Sequence, residues 1–124
     1  MRPPRGTFER LNTLLSARIW KTADRSDSPI AATCRNLSGR GCRFVIEDLR
    51  WVSEFYLESP IYFSFQLKPD TPEISGGGVV NWLKKQRGEP DKIRYVLGVE
   101  FTSVSFADRD RIRAFIFLRH PPGV

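Results

Sequence analysis

Histidine, cysteine and long apolar runs are scarce in this sequence. One histidine, His120, and two cysteines, Cys34 and Cys42, occur in 124 residues. A metal centre or a Cys–His nucleophile needs several such groups converging. His120 stands before Pro121 with no second histidine to join it. Cys34 and Cys42 flank a glycine-containing turn at a spacing that matches no metal pattern. They are expected to be small, half-buried apolar residues carrying reduced thiols. No apolar stretch approaches the ~20 residues that span a bilayer. The basic start of the chain lacks the apolar core of a secretory leader, so the expected location is the cytoplasm. Neither GxxxxGK(S/T) nor GxSxG occurs. Gly76, Gly77 and Gly78 follow a proline-containing loop and precede a strand, so they make no phosphate cradle at a helix start. Glu47 and Asp48 are adjacent along a strand end and point apart. Asn36-Leu37-Ser38 fits the glycosylation sequon, which carries no meaning without secretion. These absences argue against an enzyme, a metal or a cofactor.

What is present is a globular composition with a basic surplus. Apolar residues at 40% and charged residues at 27% are enough to close one core. The length suits a single domain over 1–124. A net charge of +6 favours anionic partners without choosing among them.

Two-residue alternation dominates the pattern. Residues 13–20 (TLLSARIW) read as a strand with Leu15, Ala17 and Ile19 on one face. Residues 24–29 (DRSDSP) form a turn-rich link. Ile30, Ala32 and Cys34 define a second strand, and 42–47 (CRFVIE) a third. Residues 48–59 are mixed, with Trp51, Phe55 and Tyr56 expected to pack. Ile61, Phe63, Phe65 and Leu67 mark a fourth strand. Residues 69–78 read as a loop ending in three glycines, 79–83 (VVNWL) as a strand and 84–92 as a polar hairpin loop. Ile93, Tyr95, Leu97, Val99 and Phe101 alternate along the sixth strand. The period then changes: Ser105 caps a helix over 105–119, and Asp108 three residues on suits the positive end of its dipole. Ile112, Phe115 and Ile116 share one helical face, and Phe106 is expected to staple its start. The expected fold is mainly β: a small six-stranded antiparallel barrel over 13–104 with a C-terminal helix, preceded by a flexible basic arm over 1–12.

Two segments carry binding chemistry. The arm holds Arg2, Arg5 and Arg10, and guanidinium groups bind phosphate bidentately, read guanine and stack on bases. The turn 36–41 (NLSGRG) offers the amide of Asn36, the hydroxyl of Ser38 and, at Gly41, room for backbone or ligand to come close. In an extended segment Asn36 and Ser38 share a face. The residues alone leave plainer readings open: Asn, Ser and Gly simply make turns, and basic termini are commonly solvated tails.

Taken together the two segments resemble the PilZ family, which is marked by RxxxR in an N-terminal arm and (D/N)xSxxG at a turn between early barrel strands. NLSGRG matches the second motif at every fixed position. GVVNW (78–82), YVLGVEF (95–101) and FADRDRIRAFI (106–116) are similar to the family's later strands and terminal helix, in the same order. One departure stands out. Gly6 takes the first arginine place, so Arg5 and Arg10 are spaced RxxxxR.

The resemblance implies a non-enzymatic bacterial receptor for cyclic di-GMP. Arg5, Arg10, Asn36, Ser38 and Gly41 would form the site, with Arg2, Arg35, Arg40 and Trp82 as possible additions. A barrel-core place is the simpler expectation for Trp82. Ligand binding would reshape a surface for an unidentified protein partner in motility, pili or biofilm control, without membrane insertion. The altered arginine spacing favours an alternative, a PilZ-like adaptor that binds no nucleotide. A second alternative is a small barrel that binds single-stranded nucleic acid on Trp20, Trp51 and Trp82, although nucleic acid is not the expected partner.

Overall fold

The computed structural model describes residues 14–47, 55–87 and 93–119. Six strands and one helix follow in order: β1 Leu15–Trp20, β2 Ile30–Arg35, β3 Gly41–Ile46, β4 Pro60–Phe65, β5 Ile74–Arg87, β6 Ile93–Ser103 and α1 Phe106–Arg119. Every pairing is antiparallel, and the order β1-β2-β3-β6-β5-β4 closes on itself because β4 also pairs with β1. Closure removes the exposed sheet edges that invite aggregation.

The barrel closes because one alternate set of side chains is apolar on each strand. Ala17, Ile19, Ile30, Cys34, Cys42, Phe44, Ile46, Ile61, Phe63, Phe65, Val80, Leu97, Val99 and Phe101 form one buried cluster. Phe63 is its hub, with ring centroids 5.5, 5.9 and 5.1 Å from Phe44, Phe65 and Phe101. Burying a side chain of that size contributes about 1.5–3 kcal/mol. Cys34 and Cys42 form no disulfide and lie inside this cluster. Burial above all, with Cys34 alongside, pushes the Cys42 thiol well above its ordinary range, so both act as apolar packing groups.

The helix caps the same core. Ile112, Phe115 and Ile116 enter the cluster, as their three- and four-residue spacing requires. Ser105 Oγ accepts the amide of Asp108 at 3.1 Å, which is the expected cap. Phe106, however, is 86% exposed and staples nothing. Tyr56 is likewise exposed while Phe55 is buried; Trp51 lies outside the described residues.

Two expected loops are strand instead. β5 begins at Ile74, so Gly76, Gly77 and Gly78 lie within it, opposite Phe63, Tyr62 and Ile61. The Tyr62 ring lies over Gly77, where a Cβ would come within 3.1 Å of it, so bulk from the neighbouring strand replaces the missing side chains. At its other end β5 runs on to Arg87 and pairs with β6 as far as Arg87↔Ile93. There both faces of the hairpin lean toward solvent, so no apolar alternation marks it as strand.

Candidate functional site

The turn between β2 and β3 is held by its own side chains. Asn36 takes a left-handed conformation, φ 51°, which asparagine tolerates better than most residues. Leu37 then drops into the core with no exposure. Ser38 Oγ accepts the amides of Arg40 and Gly41, both at 3.2 Å, and donates to the Gly41 carbonyl at 3.3 Å. The Ser38 amide bonds the same carbonyl at 2.9 Å. The hydroxyl is therefore committed to the shape of the turn. Gly41 is required by its own fold, since a Cβ there would sit 2.1 Å from the Val99 carbonyl of β6.

The left-handed step at Asn36 breaks the extended geometry that would put Asn36 and Ser38 on one face. They line two adjoining clefts instead. Ser38, Arg40, Gly41, Arg43, Trp82 and Glu100 are among the residues around a cleft of about 410 Å³. Asn36 faces a second cleft of about 360 Å³ with Arg35, Arg43, Val45, Gln86, Arg94 and Val96. Arg43 belongs to both.

Strand register explains why these side chains meet. Arg35 of β2 is opposite Arg43 of β3, Arg43 is opposite Gly98 of β6, and Gly98 is opposite Trp82 of β5. All four lie in one row on the outer wall, because the neighbours Cys34, Cys42 and Val99 point inward. Trp82 joins the row through a register shift between Val80 and Trp82, which leaves Asn81 as the extra residue. Val80 faces the core. In an unbulged strand Trp82, two positions on, would face it too. The expected core place for Trp82 is thus replaced by an outer one. Its indole lies across Gly98, where a Cβ would sit 2.3 Å from Nε1. The Arg43 guanidinium stands over the ring at 4.9 Å, a cation–π arrangement.

Sequence reasoning missed Arg43, Glu100 and Asn81. Arg43 was legible as the outward member of an alternating strand two residues beyond Gly41. Glu100 and Asn81 needed the β3–β6 and β5–β6 registers. Arg2, Arg5 and Arg10 lie outside the described residues.

The helix reaches the same turn. Arg109 donates through Nη1 to the Gly39 carbonyl at 3.1 Å and through Nη2 to the Phe101 carbonyl at 3.5 Å. Among the described residues no group of histidine, cysteine and carboxylate side chains could hold a metal ion, and no helix is long and apolar enough to cross a membrane.

A closed barrel of six antiparallel strands with a terminal helix and a (D/N)xSxxG turn between β2 and β3 defines a class of small β-barrel domain. The PilZ domain model matches residues 4–118, and the chain belongs to that family. Among solved structures it is similar to the Bacillus subtilis inhibitor of motility MotI/DgrA, with a TM-score of 0.73 and 18% identity over 96% of this chain and 53% of that one. It is similar to the PilZ domain of YcgR from Escherichia coli, solved with c-di-GMP, with a TM-score of 0.66 and 14% identity over 90% of this chain and 89% of that domain. The Borreliella burgdorferi PlzA protein in complex with c-di-GMP gives 0.62 and 10% identity over 97% and 54%. The chain thus spans about half the length of MotI and PlzA. No curated protein matches it.

Proposed function

We propose that this chain is a non-enzymatic receptor for cyclic di-GMP that couples binding to a change in a protein-interaction surface. The observation that carries the reading is the outer-wall row ending in Arg43 and Trp82 beside the Ser38 turn. A purine stacks on such a guanidinium–indole pair. Glu100 at the cleft accepts from the N1 and N2 hydrogens of a guanine. Ser38 serves by holding the turn, Gly41 by letting β3 approach β6, and Asn36 by offering its amide at the second cleft. Arg40 adds charge at the rim. Arg5 and Arg10, with help from Arg2, close from the arm onto phosphate and base. Charge-assisted bonds of this kind contribute about 1.5–3 kcal/mol each.

A route to a partner exists. Arg109 ties the turn to α1, and α1 exposes Phe106, Phe117 and Leu118. A protein that reads the turn through this helix is the fitting output, in motility, pilus or biofilm control in the bacterial cytoplasm.

Titration calorimetry of the purified chain with cyclic di-GMP tests the reading. Arg10→Ala and Asn36→Ala are expected to weaken binding at least tenfold while leaving the circular dichroism spectrum unchanged. No heat from the unaltered protein at high micromolar ligand overturns it and favours the adaptor without a nucleotide, the reading that the Arg5-to-Arg10 spacing supports. Trp20, only 6% exposed beneath Arg25, offers no face to a base, which weighs against the single-stranded nucleic-acid alternative.

A further inference from the structure

The second cleft gathers three arginines whose charge no described lining residue opposes. Arg35 and Arg43 are opposed directly across β2 and β3, an arrangement in which like charges repel. Arg94 joins them from β6. None of the seven described residues lining this cleft is a carboxylate. The Nε atoms of Arg35 and Arg43 are buried without a hydrogen-bond partner, whereas buried donors in folded proteins are nearly always paired. Val45 and Val96 lie buried between them on the outer wall. This apolar floor lowers the local dielectric and sharpens both the repulsion and any attraction to an anion. Gln86 Oε1 already accepts from Arg94 Nε at 3.2 Å, which fixes that guanidinium and leaves the glutamine amide as a further donor.

We propose that the cleft between Arg35, Arg43 and Arg94 is a phosphate-binding site. Arg43 is shared with the Trp82 cleft, so a phosphoryl group here belongs to a nucleotide seated there; that assignment of its carrier rests on the proposed function. A guanidinium takes phosphate side-on through Nε–H and Nη–H. Rotation about the terminal torsions of Arg35 and Arg43 brings their orphaned donors onto the anion, and its negative charge removes the repulsion between them. Asn36 and Gln86 add neutral donors around the remaining oxygens. The site thus gives Asn36 a partner of defined chemistry.

The test uses the full chain and two probes, inorganic phosphate and cyclic di-GMP. The Nε–H signals of Arg35 and Arg43 are followed by NMR and assigned with Arg35→Gln and Arg43→Gln. Saturable, joint movement of both signals with inorganic phosphate is expected. Arg35→Gln and Arg94→Gln are each expected to weaken cyclic di-GMP about tenfold, which is ~1.4 kcal/mol. Arg18→Gln, on another part of the wall, should bind as the unaltered protein does. If phosphate moves the signals and cyclic di-GMP does not bind, the site stands and the receptor reading falls. If cyclic di-GMP binds, both variants match the unaltered protein within twofold and phosphate moves nothing, the site is overturned and the receptor reading survives. Silence toward both probes overturns both.

Discussion

The outer wall of the barrel carries arginine beside tryptophan twice, and the two places differ in their counter-charge. Near β1 and β4, Arg18 bonds both carboxylate oxygens of Glu73 at 2.7 Å, and Ser64 also donates to that carboxylate. Arg25 donates to the Phe63 carbonyl at 2.9 Å. Trp20 is buried between these two guanidinium groups, at 5.5 and 4.5 Å. Along β2, β3, β6 and β5, Arg43 stands over Trp82, and among the described residues no carboxylate lines the cleft beyond it. At the first place Arg18 is paired with a carboxylate and Arg25 with a backbone carbonyl. The second keeps donors unused, so its arginines gain most from something outside the chain. Arginine density alone does not mark a binding face. The supply of partners does.

The sharpest way to break this comparison is to remove each tryptophan. Trp20→Ala is expected to cost about 3 kcal/mol of stability and leave cyclic di-GMP binding within twofold. Trp82→Ala is expected to cost less stability and to weaken binding by about 1–3 kcal/mol. Urea unfolding and calorimetry on both variants check the crossover, and equal effects on binding would erase the distinction.

A smaller effect is expected at Arg109, whose bonds go to the Gly39, Phe101 and Val104 carbonyls. Arg109→Ala should lower stability by about 1–2 kcal/mol and weaken ligand binding severalfold through the loosened turn. Backbone amide exchange at Gly39 to Gly41 should rise in step.

Smallest is the complete face itself. The Ser64 hydroxyl, followed by Arg18, holds the Glu73 carboxyl below its ordinary value of 4.5. A carboxyl depressed in the folded state lends stability that is present above 4.5 and is lost as pH falls through the lower folded value. Both side chains of the pair are more than 40% exposed, so Glu73→Gln should cost under about 1 kcal/mol near neutrality. The variant should also lose less stability than the unaltered protein as pH falls below 4.5. Urea midpoints across that range measure the difference.

The barrel was legible in the sequence wherever one strand face is buried. Ile61, Phe63 and Phe65 announce β4, and Leu97, Val99 and Phe101 announce β6. The helix was legible from Ser105 and the spacing of Ile112, Phe115 and Ile116. What stayed hidden needed a partner strand to become visible. The glycines of β5 read as a loop because the groups that crowd them, Tyr62 at Gly77 and the Glu100 carbonyl at Gly78, come from neighbouring strands. The charged end of β5 read as a loop because it has no buried face. At the candidate site, the turn could be read from its motif, but the split of Asn36 from Ser38 follows from one left-handed residue. The Arg35–Arg43–Gly98–Trp82 row depends on three registers that no single segment encodes.

Asn81 gives the barrel wall a parity of its own. Because a strand counts in twos, the bulge that absorbs Asn81 decides whether the indole after it serves the interior or the exterior, with no change in amino-acid composition. Relatives aligned without a gap at this position would be credited with an aromatic on the wrong side of the wall. In this architecture, where such a bulge falls is as informative about the side of the wall an aromatic takes as the count of residues along the strand.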